Sequence, residues 1–481
     1  MIDRIKSLTK QTLVYGVGTI ATRMVTFLLL PVYTNILPNE KYGLAALIFT
    51  FLAFMNHIYN YGLDSAFMRF YSHENDKEDK TTILSSAMGM AFITSLIFSF
   101  IIYLIRHPLA GKFLTDREYH HFFTYAAVIL FFDCIARVPF AYLRQERRPM
   151  MFMGVRLINV ILTLSLNILF VAVLKQGIIG IFRSNLIVSF LTAMILFFIM
   201  AKKIEFRFSL KIAKMLLLFG IPFVPSGLAV AAMEMWNRVI LEKFLGLHEV
   251  GTFSAVYKLG IFMLLISTGF YYAWQPFFLK EGKKEESREL FGRVMTYFIV
   301  VALGAWVILT AFIQNIAGIH IGDIYLVGLE YQSGVKIVPF ILLGYVFFGI
   351  NQVLLPGFYF EKKTKYLAMI TITVAALNVG LNYLFIPKFG IMGPGYAMVI
   401  SYACLVFLTY LTSQKLFKVH YEYKRVASLF LILLSIGFGV YYFQPSLPVK
   451  LVIVALIPLV LKFMNFFNPD ELRLLKRLIG R

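Results

Sequence analysis

At 481 residues, with 59% hydrophobic and only 15% charged positions, the chain falls far below the roughly 25% charged content of soluble domains, which excludes a soluble globular fold. A formal charge of +21 does not imply a nucleic-acid partner, because most Lys and Arg sit in short loops on alternate sides of apolar runs. Cys134 and Cys404 both fall inside such runs and point to neither a disulfide nor a metal site.

Apolar runs of about 20 residues, each able to cross a ~30 Å hydrocarbon core, recur along the whole chain. A basic, amphipathic lead-in, MIDRIKSLTKQ, has no small-residue cleavage site and reads as a retained cytoplasmic segment. Fourteen spans are predicted after it, at 12–36, 42–70, 83–105, 121–143, 150–174, 178–200, 214–240, 252–279, 291–317, 334–359, 365–386, 391–413, 425–443 and 448–467. An even number puts both termini on one side. Loops on that side carry most of the cations, whereas the opposite side has only Lys41, Arg106, Lys112, Arg117, Lys175, Lys243, Lys388 and Lys450. Cytoplasmic termini follow from that asymmetry.

The chain repeats itself. NILPNEKYGLAAL (35–47) and KFLGLHEVGTFSAV (243–256) share a Leu six positions before a Gly (Leu37 and Gly43, Leu245 and Gly251) at the start of a span. SLNILFVAVLKQGIIGIFRSNLIVS (165–189) and GLNYLFIPKFGIMGPGYAMVIS (380–401) share Leu-Asn, Leu-Phe and Gly-Ile-x-Gly. Both pairs are six spans apart, so the copies run the same way through the membrane, as in transporters built from parallel repeats. The expected architecture is an all-α polytopic membrane protein with about 14 transmembrane helices: two pseudo-symmetric six-helix bundles (1–205 and 206–420) and two C-terminal helices with a cytoplasmic tail (421–481). Pro31, Pro222, Pro225, Pro276 and Pro339 punctuate the spans, where kinks free backbone carbonyls, and GIPFVPSG (220–227) is the expected moving part.

Charges inside spans face protein or water and mark a pathway by default. Arg69, Arg137 and Arg156 lie within about two or three turns of the cytoplasmic face, where snorkelling also accounts for them. Arg23 is deeper, and Arg183, Arg238, Lys258 and Lys336 lie towards the outer half. Asp133 and Arg137, like Glu234 and Arg238, are four apart and able to pair along one helix. Asp64 and Arg69 are five apart, about 140° around the helix, so each must find another helix or solvent. An excess of cations over anions suits an anionic cargo with a phosphate or diphosphate head.

FLLLPVYTNILPNEKYGL (27–44), GLDSAFMRFYS (62–72), NRVILEKFLGLHEVGTFSAVYKLG (237–260) and LNYLFIPKFGIMGPGYAMVIS (381–401) resemble the polysaccharide transporter family of lipid-linked oligosaccharide (O-antigen) flippases. That family belongs to the superfamily that also holds multidrug exporters and the lipid II flippase. The resemblance covers essentially the whole chain. It implies two bundles around a cavity that opens alternately, with an undecaprenyl-diphosphate-linked glycan flipped outward for surface polysaccharide (lipopolysaccharide) synthesis. A bacterial inner-membrane location and work alongside a polysaccharide polymerase go with it; two pseudo-symmetric bundles suffice as a monomer, and no catalysis is expected. Matched positions assign substrate binding to Arg23, Asp64, Arg69, Arg238 and Lys258; Arg183 and Lys336 join them from depth alone. Relatives often carry Asp where this chain has Asn237, so coupling to Na+ or H+ falls to Glu234, Asn237, Asn378 and Asn382. No other cofactor is implied. The alternatives are a lipid II flippase and a cation-coupled multidrug exporter of the same fold. The exporter should show carboxylates rather than arginines to its cavity. An integral-membrane glycan polymerase or ligase would need an acidic or His constellation, and the one His pair, His120–His121, has no third ligand in view.

Overall fold

The computed structural model of the chain describes residues 24–463 apart from 75, 76, 115, 116, 147, 202, 204 and 206. Among the described residues the protein is helical throughout except for one antiparallel hairpin, His320–Ile321 with Ile324–Tyr325. Eleven helical stretches are long and apolar enough to cross a membrane. One of them, Lys365–Leu416, is 52 residues long and covers two predicted spans. The turn between its halves, Gly390–Met392, begins with Gly390 at φ 58°. Shorter apolar helices, Met24–Ile36 and Leu447–Val460, stand where the first and last spans are expected. Among the described residues, each of the fourteen predicted spans therefore contains a helix.

The chain forms two compact units that interleave along the sequence. One comprises Met1–Ile261, Gly318–Ile337 and Lys365–Ser401; the other comprises Phe262–Ala317, Val338–Thr364 and Tyr402–Arg481. Within the first unit, helix His120–Gln145 packs between Lys77–Leu104 and Gly177–Met200, and Asn39–Asn60 packs on Leu247–Tyr257. Lipid tails are as apolar as side chains, so close packing rather than water exclusion holds such helices together. Phe51, Phe113 and Phe123 meet edge to face, with centroids 5.0 to 6.4 Å apart, as quadrupoles prefer.

Two helix breaks in the first unit touch each other. Tyr61 (φ 31°) and Gly62 (φ 73°) separate Asn39–Asn60 from Leu63–His73. The 3-10 turn Ile221–Phe223, with Pro222, separates Leu210–Gly220 from Val224–Leu245 within the segment GIPFVPSG. A Cβ on Gly62 would stand 2.4 Å from the Gly220 carbonyl oxygen. Only glycine fits both the backbone angle and the space.

The second unit is anchored by Trp306, which is fully buried. Its Nε1 donates to the Pro339 carbonyl at 2.8 Å, and its ring lies against Gly437, where a Cβ would come within 2.1 Å.

Candidate functional site

The side chains best placed for an anion lie in the first unit. Helix Val224–Leu245 carries Arg238, which is 6% exposed. Its Nη1 donates to the Glu234 carbonyl oxygen at 2.9 Å and to Asn237 Oδ1 at 3.2 Å, while Nε donates to Ser254 Oγ at 3.2 Å. Its guanidinium carbon stands 4.7 Å from the Tyr257 ring centroid and 5.3 Å from that of Phe253. The i to i+4 spacing of Glu234 and Arg238 thus serves a side-chain to backbone bond. These contacts fix the plane of the guanidinium, as bidentate recognition of a phosphate requires.

Lys258 begins the 3-10 turn Lys258–Gly260. Its ammonium lies 5.0 Å from the Tyr33 ring centroid and 5.3 Å from that of Tyr42. Such contacts are worth about 0.5 to 2 kcal/mol each. Arg238 is near enough to repel it. Among the described residues Lys258 makes no ion pair. Two cations of one sign therefore share an aromatic setting, and at least one has no carboxylate to offset it.

The aromatic wall is itself held. Tyr33 and Tyr42 rings are 5.8 Å apart, and Tyr42 meets Tyr331 edge-on at 5.9 Å. Tyr33 Oη donates to Asn167 Oδ1 at 2.7 Å, and Tyr331 Oη donates to the Leu37 carbonyl at 2.7 Å. A polar seam runs beside it. Asn39 Nδ2 donates to Thr252 Oγ1 at 2.7 Å, and Gly328 N donates to Thr34 Oγ1 at 2.9 Å. Asn35 donates to the Tyr325 carbonyl at 2.6 Å and accepts from Tyr325 N at 3.0 Å.

The other expected residues lie elsewhere. Asp64 opens helix Leu63–His73, directly after the Tyr61–Gly62 break, and accepts from Asn60 Nδ2 at 3.0 Å and Ser65 N at 2.8 Å. A carboxylate there favours the positive end of the helix dipole. Arg69 is exposed, with its guanidinium 4.7 Å from the Phe219 ring centroid. Arg183 is exposed and donates to Gln176 Oε1 at 2.9 Å. Lys336 is exposed on the 3-10 helix Leu329–Ile337, ahead of helix Val338–Val353. Arg23 lies outside the described residues. Asp133 and Arg137 do not form the ion pair their spacing allows, because Arg137 Nη2 instead donates to Asn56 Oδ1 at 2.9 Å.

Of the residues expected to serve cation coupling, Asn237 accepts from Arg238, and Glu234 is half-buried one turn away. Asn378 and Asn382 are both buried; Asn378 Nδ2 donates to Ser401 Oγ at 3.1 Å, and Asn382 Nδ2 donates to the Asn378 carbonyl at 2.8 Å and to Asn378 Oδ1 at 3.1 Å. Asn382 Oδ1 is buried with no partner among the described residues.

Sequence reasoning missed Tyr33, Tyr42, Tyr331 and Ser254. Three of the four lie inside stretches already singled out, VYTNILPNEKYG and GTFSAVYKLG. The signal was an aromatic near each cation's partner helix, and it shows only when the helices are placed side by side.

Residues 8–280 match the family model described as polysaccharide biosynthesis protein, and residues 330–462 match that of the lipid II flippase MurJ. A solved structure of the lipid II flippase MurJ, in an inward closed conformation, superposes with TM-score 0.75 at 16% identity, covering 98% of this chain and 100% of that one. An inward-facing multidrug resistance MATE family transporter gives TM-score 0.66 at 17% identity, over 85% of this chain and 95% of that one. An outward-facing transporter of the same family gives 0.55 at 16% identity, over 88% and 96%. These likenesses show that the chain has the fold of those transporters. No curated protein matches the chain significantly in sequence.

Proposed function

Since the chain belongs to the polysaccharide biosynthesis protein family, we propose that it is a flippase for a lipid-linked oligosaccharide, carrying an undecaprenyl-diphosphate-linked glycan from the cytoplasmic to the outer leaflet by alternating access. The observation that carries this reading is the nearness of two cations, Arg238 against Tyr257 and Phe253 and Lys258 against Tyr33 and Tyr42. Like charges held together in a low-dielectric setting repel, and a diphosphate bound between them turns that repulsion into attraction on both sides. Arg238, fixed by its hydrogen bonds, supplies orientation; Lys258, held against ring faces, supplies a charge that follows the ligand.

Arg23, Asp64, Arg69, Arg183 and Lys336 complete the proposed path, with Asp64 and Arg69 at the cytoplasmic mouth. The two six-helix bundles, the cytoplasmic termini, the bacterial inner membrane and a monomeric state belong to the same reading. So does cooperation with a polysaccharide polymerase. Glu234, Asn237, Asn378 and Asn382 form the proposed coupling set for Na+ or H+. Glu234 is the member able to carry a proton, and Asn382 Oδ1 is the oxygen left for a cation. A second reading, a lipid II flippase, is favoured by the match over residues 330–462. It uses the same diphosphate chemistry and differs in the sugars.

The test is display of surface glycan in cells carrying Arg238→Gln, Lys258→Gln or Arg23→Gln. Loss of display at unchanged protein abundance is expected. Normal display in all three overturns the proposal, and rescue of a strain lacking its lipid II flippase selects the second reading.

A further inference from the structure

The connection between the spans Glu285–Ala317 and Leu329–Phe360 has the wrong composition for a water-facing loop. Residues 318–329 read GIHIGDIYLVGL, with no Lys or Arg, one acid, and six aliphatics among twelve positions. The strands His320–Ile321 and Ile324–Tyr325 are joined by Gly322, at φ 59°, and Asp323. Ile321 stands opposite Ile324, and His320 opposite Tyr325. Leu326 N donates to the Ile319 carbonyl at 2.7 Å, which extends the pairing by one step. Side chains alternate across a strand, so the hairpin has two unlike faces. Ile319, Ile321 and Ile324 form one; the His320 and Tyr325 rings, 4.9 Å apart, form the other.

The aliphatic face is open: Ile319, Ile321 and Ile324 are 56%, 85% and 59% exposed. Its level, its size and its edges decide what covers it. Asn35 bonds both backbone groups of Tyr325, and Thr34 accepts from Gly328 N, so the base of the hairpin is level with the last turn of helix Leu30–Ile36. That helix belongs to an apolar stretch, Met24–Ile36, which leaves Leu28 and Ile36 exposed as lipid-facing residues are. Ile36 directly follows Asn35, and Ile324 directly precedes Tyr325. Uncovered aliphatic surface thus continues from the helix onto the hairpin. Three isoleucines fall well short of the ~800 Å² per partner that a stable protein interface buries. Strand His320–Ile321 pairs on one side only among the described residues. Its free backbone groups need water, which excludes the hydrocarbon centre and leaves the interface. Tyr325, with an apolar ring and a polar tip, suits that level.

We propose that the hairpin is seated in the membrane surface: Ile319, Ile321 and Ile324 rest among the acyl chains at the edge of the nearer leaflet, while Asp323 and His320 stay in the headgroup layer. Amphipathic elements lie in that plane with the apolar face about 5 to 10 Å deep. Through the bonds to Thr34 and Asn35, the lipid surface then holds the hairpin side of the seam that runs beside Tyr33 and Tyr42. The seat is independent of what the protein carries.

The experiment uses the full-length protein in phosphatidylcholine vesicles, with Cys134→Ala and Cys404→Ala removing both native thiols. A nitroxide is attached singly at Ile321→Cys, Ile324→Cys, His320→Cys or Asp323→Cys. Its collisions with oxygen, which concentrates in hydrocarbon, are compared with those of a water-soluble nickel chelate. Labels at 321 and 324 should favour oxygen several-fold over nickel, and labels at 320 and 323 should show the reverse. Nickel preference at all four positions means that the face is in water and overturns the proposal. So does shielding of 321 and 324 from both reagents, which would mean that a second copy or another protein covers the face. Oxygen preference at all four also overturns it, because the hairpin would then be immersed whole rather than by one face. Unfolding midpoints report whether each labelled protein is folded; where one falls, Ile319→Cys replaces it on the same face.

Discussion

Gly43 and Gly251 cross each other with no room for a side chain on either. A Cβ on Gly43 would lie 2.0 Å from the Leu247 carbonyl oxygen and 3.0 Å from Gly251 N; one on Gly251 would lie 2.0 Å from the Asn39 carbonyl oxygen. Each glycine faces the residue four before the other, so the contact is symmetric. These are the two positions that the internal repeat equates.

Alanine at either position must push the helices apart. Gly43→Ala or Gly251→Ala should cost about 1 to 3 kcal/mol by overpacking, read as a lowered unfolding midpoint in detergent. Gly154, on helix Pro149–Asn167 with nothing within 4 Å, is the control. Gly154→Ala should be neutral or up to about 1 kcal/mol stabilising, from helix propensity.

The seam beside the site is suited to a steric test. A Cβ on Gly328 would lie 1.9 Å from the Thr34 carbonyl oxygen, so Gly328→Ala cannot keep the seam closed as it stands. Glycan export should fall several-fold at unchanged protein abundance. Thr34→Ala removes the hydroxyl that accepts from Gly328 N and leaves the fit intact. Its effect should be smaller, in keeping with about 1 kcal/mol for one hydrogen bond. Undiminished export by Gly328→Ala would show that closing this seam is no part of the cycle.

The ring faces at Lys258 predict a graded series. Tyr42→Phe keeps the face and should leave transport near the wild-type rate. Tyr42→Leu removes it and should lower transport several-fold, in keeping with a cation–π contact of about 1 kcal/mol. Equal rates for the two would show that the ring is packing alone.

Acid sensitivity outside the spans follows from Glu361, which forms an ion pair with Lys283. The hydrogen bond and charge from Lys283 hold its carboxyl below the usual carboxylate range. A carboxylate depressed in the folded state contributes stability that is present above its unfolded pKa and is lost as pH falls through the lower folded value. Thermal midpoints measured from about pH 6 down to about pH 3, bracketing the ordinary carboxylate range, should therefore fall less steeply in Glu361→Gln than in the wild type. Among the basic groups, His107 is stacked on His120 at 4.0 Å. Its pKa is lowered by partial desolvation, then by His120 and Arg106. That pair favours the neutral ring and is weakened as pH falls below the ordinary histidine range.

The spans were legible in the sequence because apolar length is a strong signal. Even within Lys365–Leu416, where helical turns run on without a gap, GIMG marks the boundary between two spans through the positive φ of Gly390. Arg238 and Lys258 stood out in the sequence as cations set where orientation rules do not call for them, and the structure sets both against aromatic rings. What composition and spacing could not supply was direction. Asp133 and Arg137 are correctly spaced to pair, yet Asn56 from another helix takes the arginine. Lys336 belongs by hydropathy to a span and by geometry to the 3-10 turn Leu329–Ile337 at its start, with its own side chain exposed. Asp64 looked costly within an apolar run, and the backbone break at Tyr61–Gly62 gives it a helix start with a donor from Ser65. Such partners come from helices distant in sequence or from breaks in the backbone, and periodicity along one helix does not report them.

Asn35 gives and takes one hydrogen bond with the backbone of Tyr325, as a neighbouring strand does. The amide thereby acts as a one-residue third strand on the short hairpin, and its two bonds form or break together. Parting the first helix from the hairpin is then a snap rather than a slide. Water can replace both bonds at once, so the net energy is only about 1 kcal/mol apiece even though the geometry is strict. A fastener of this kind sets a strict geometry between helix and hairpin without making the two hard to part.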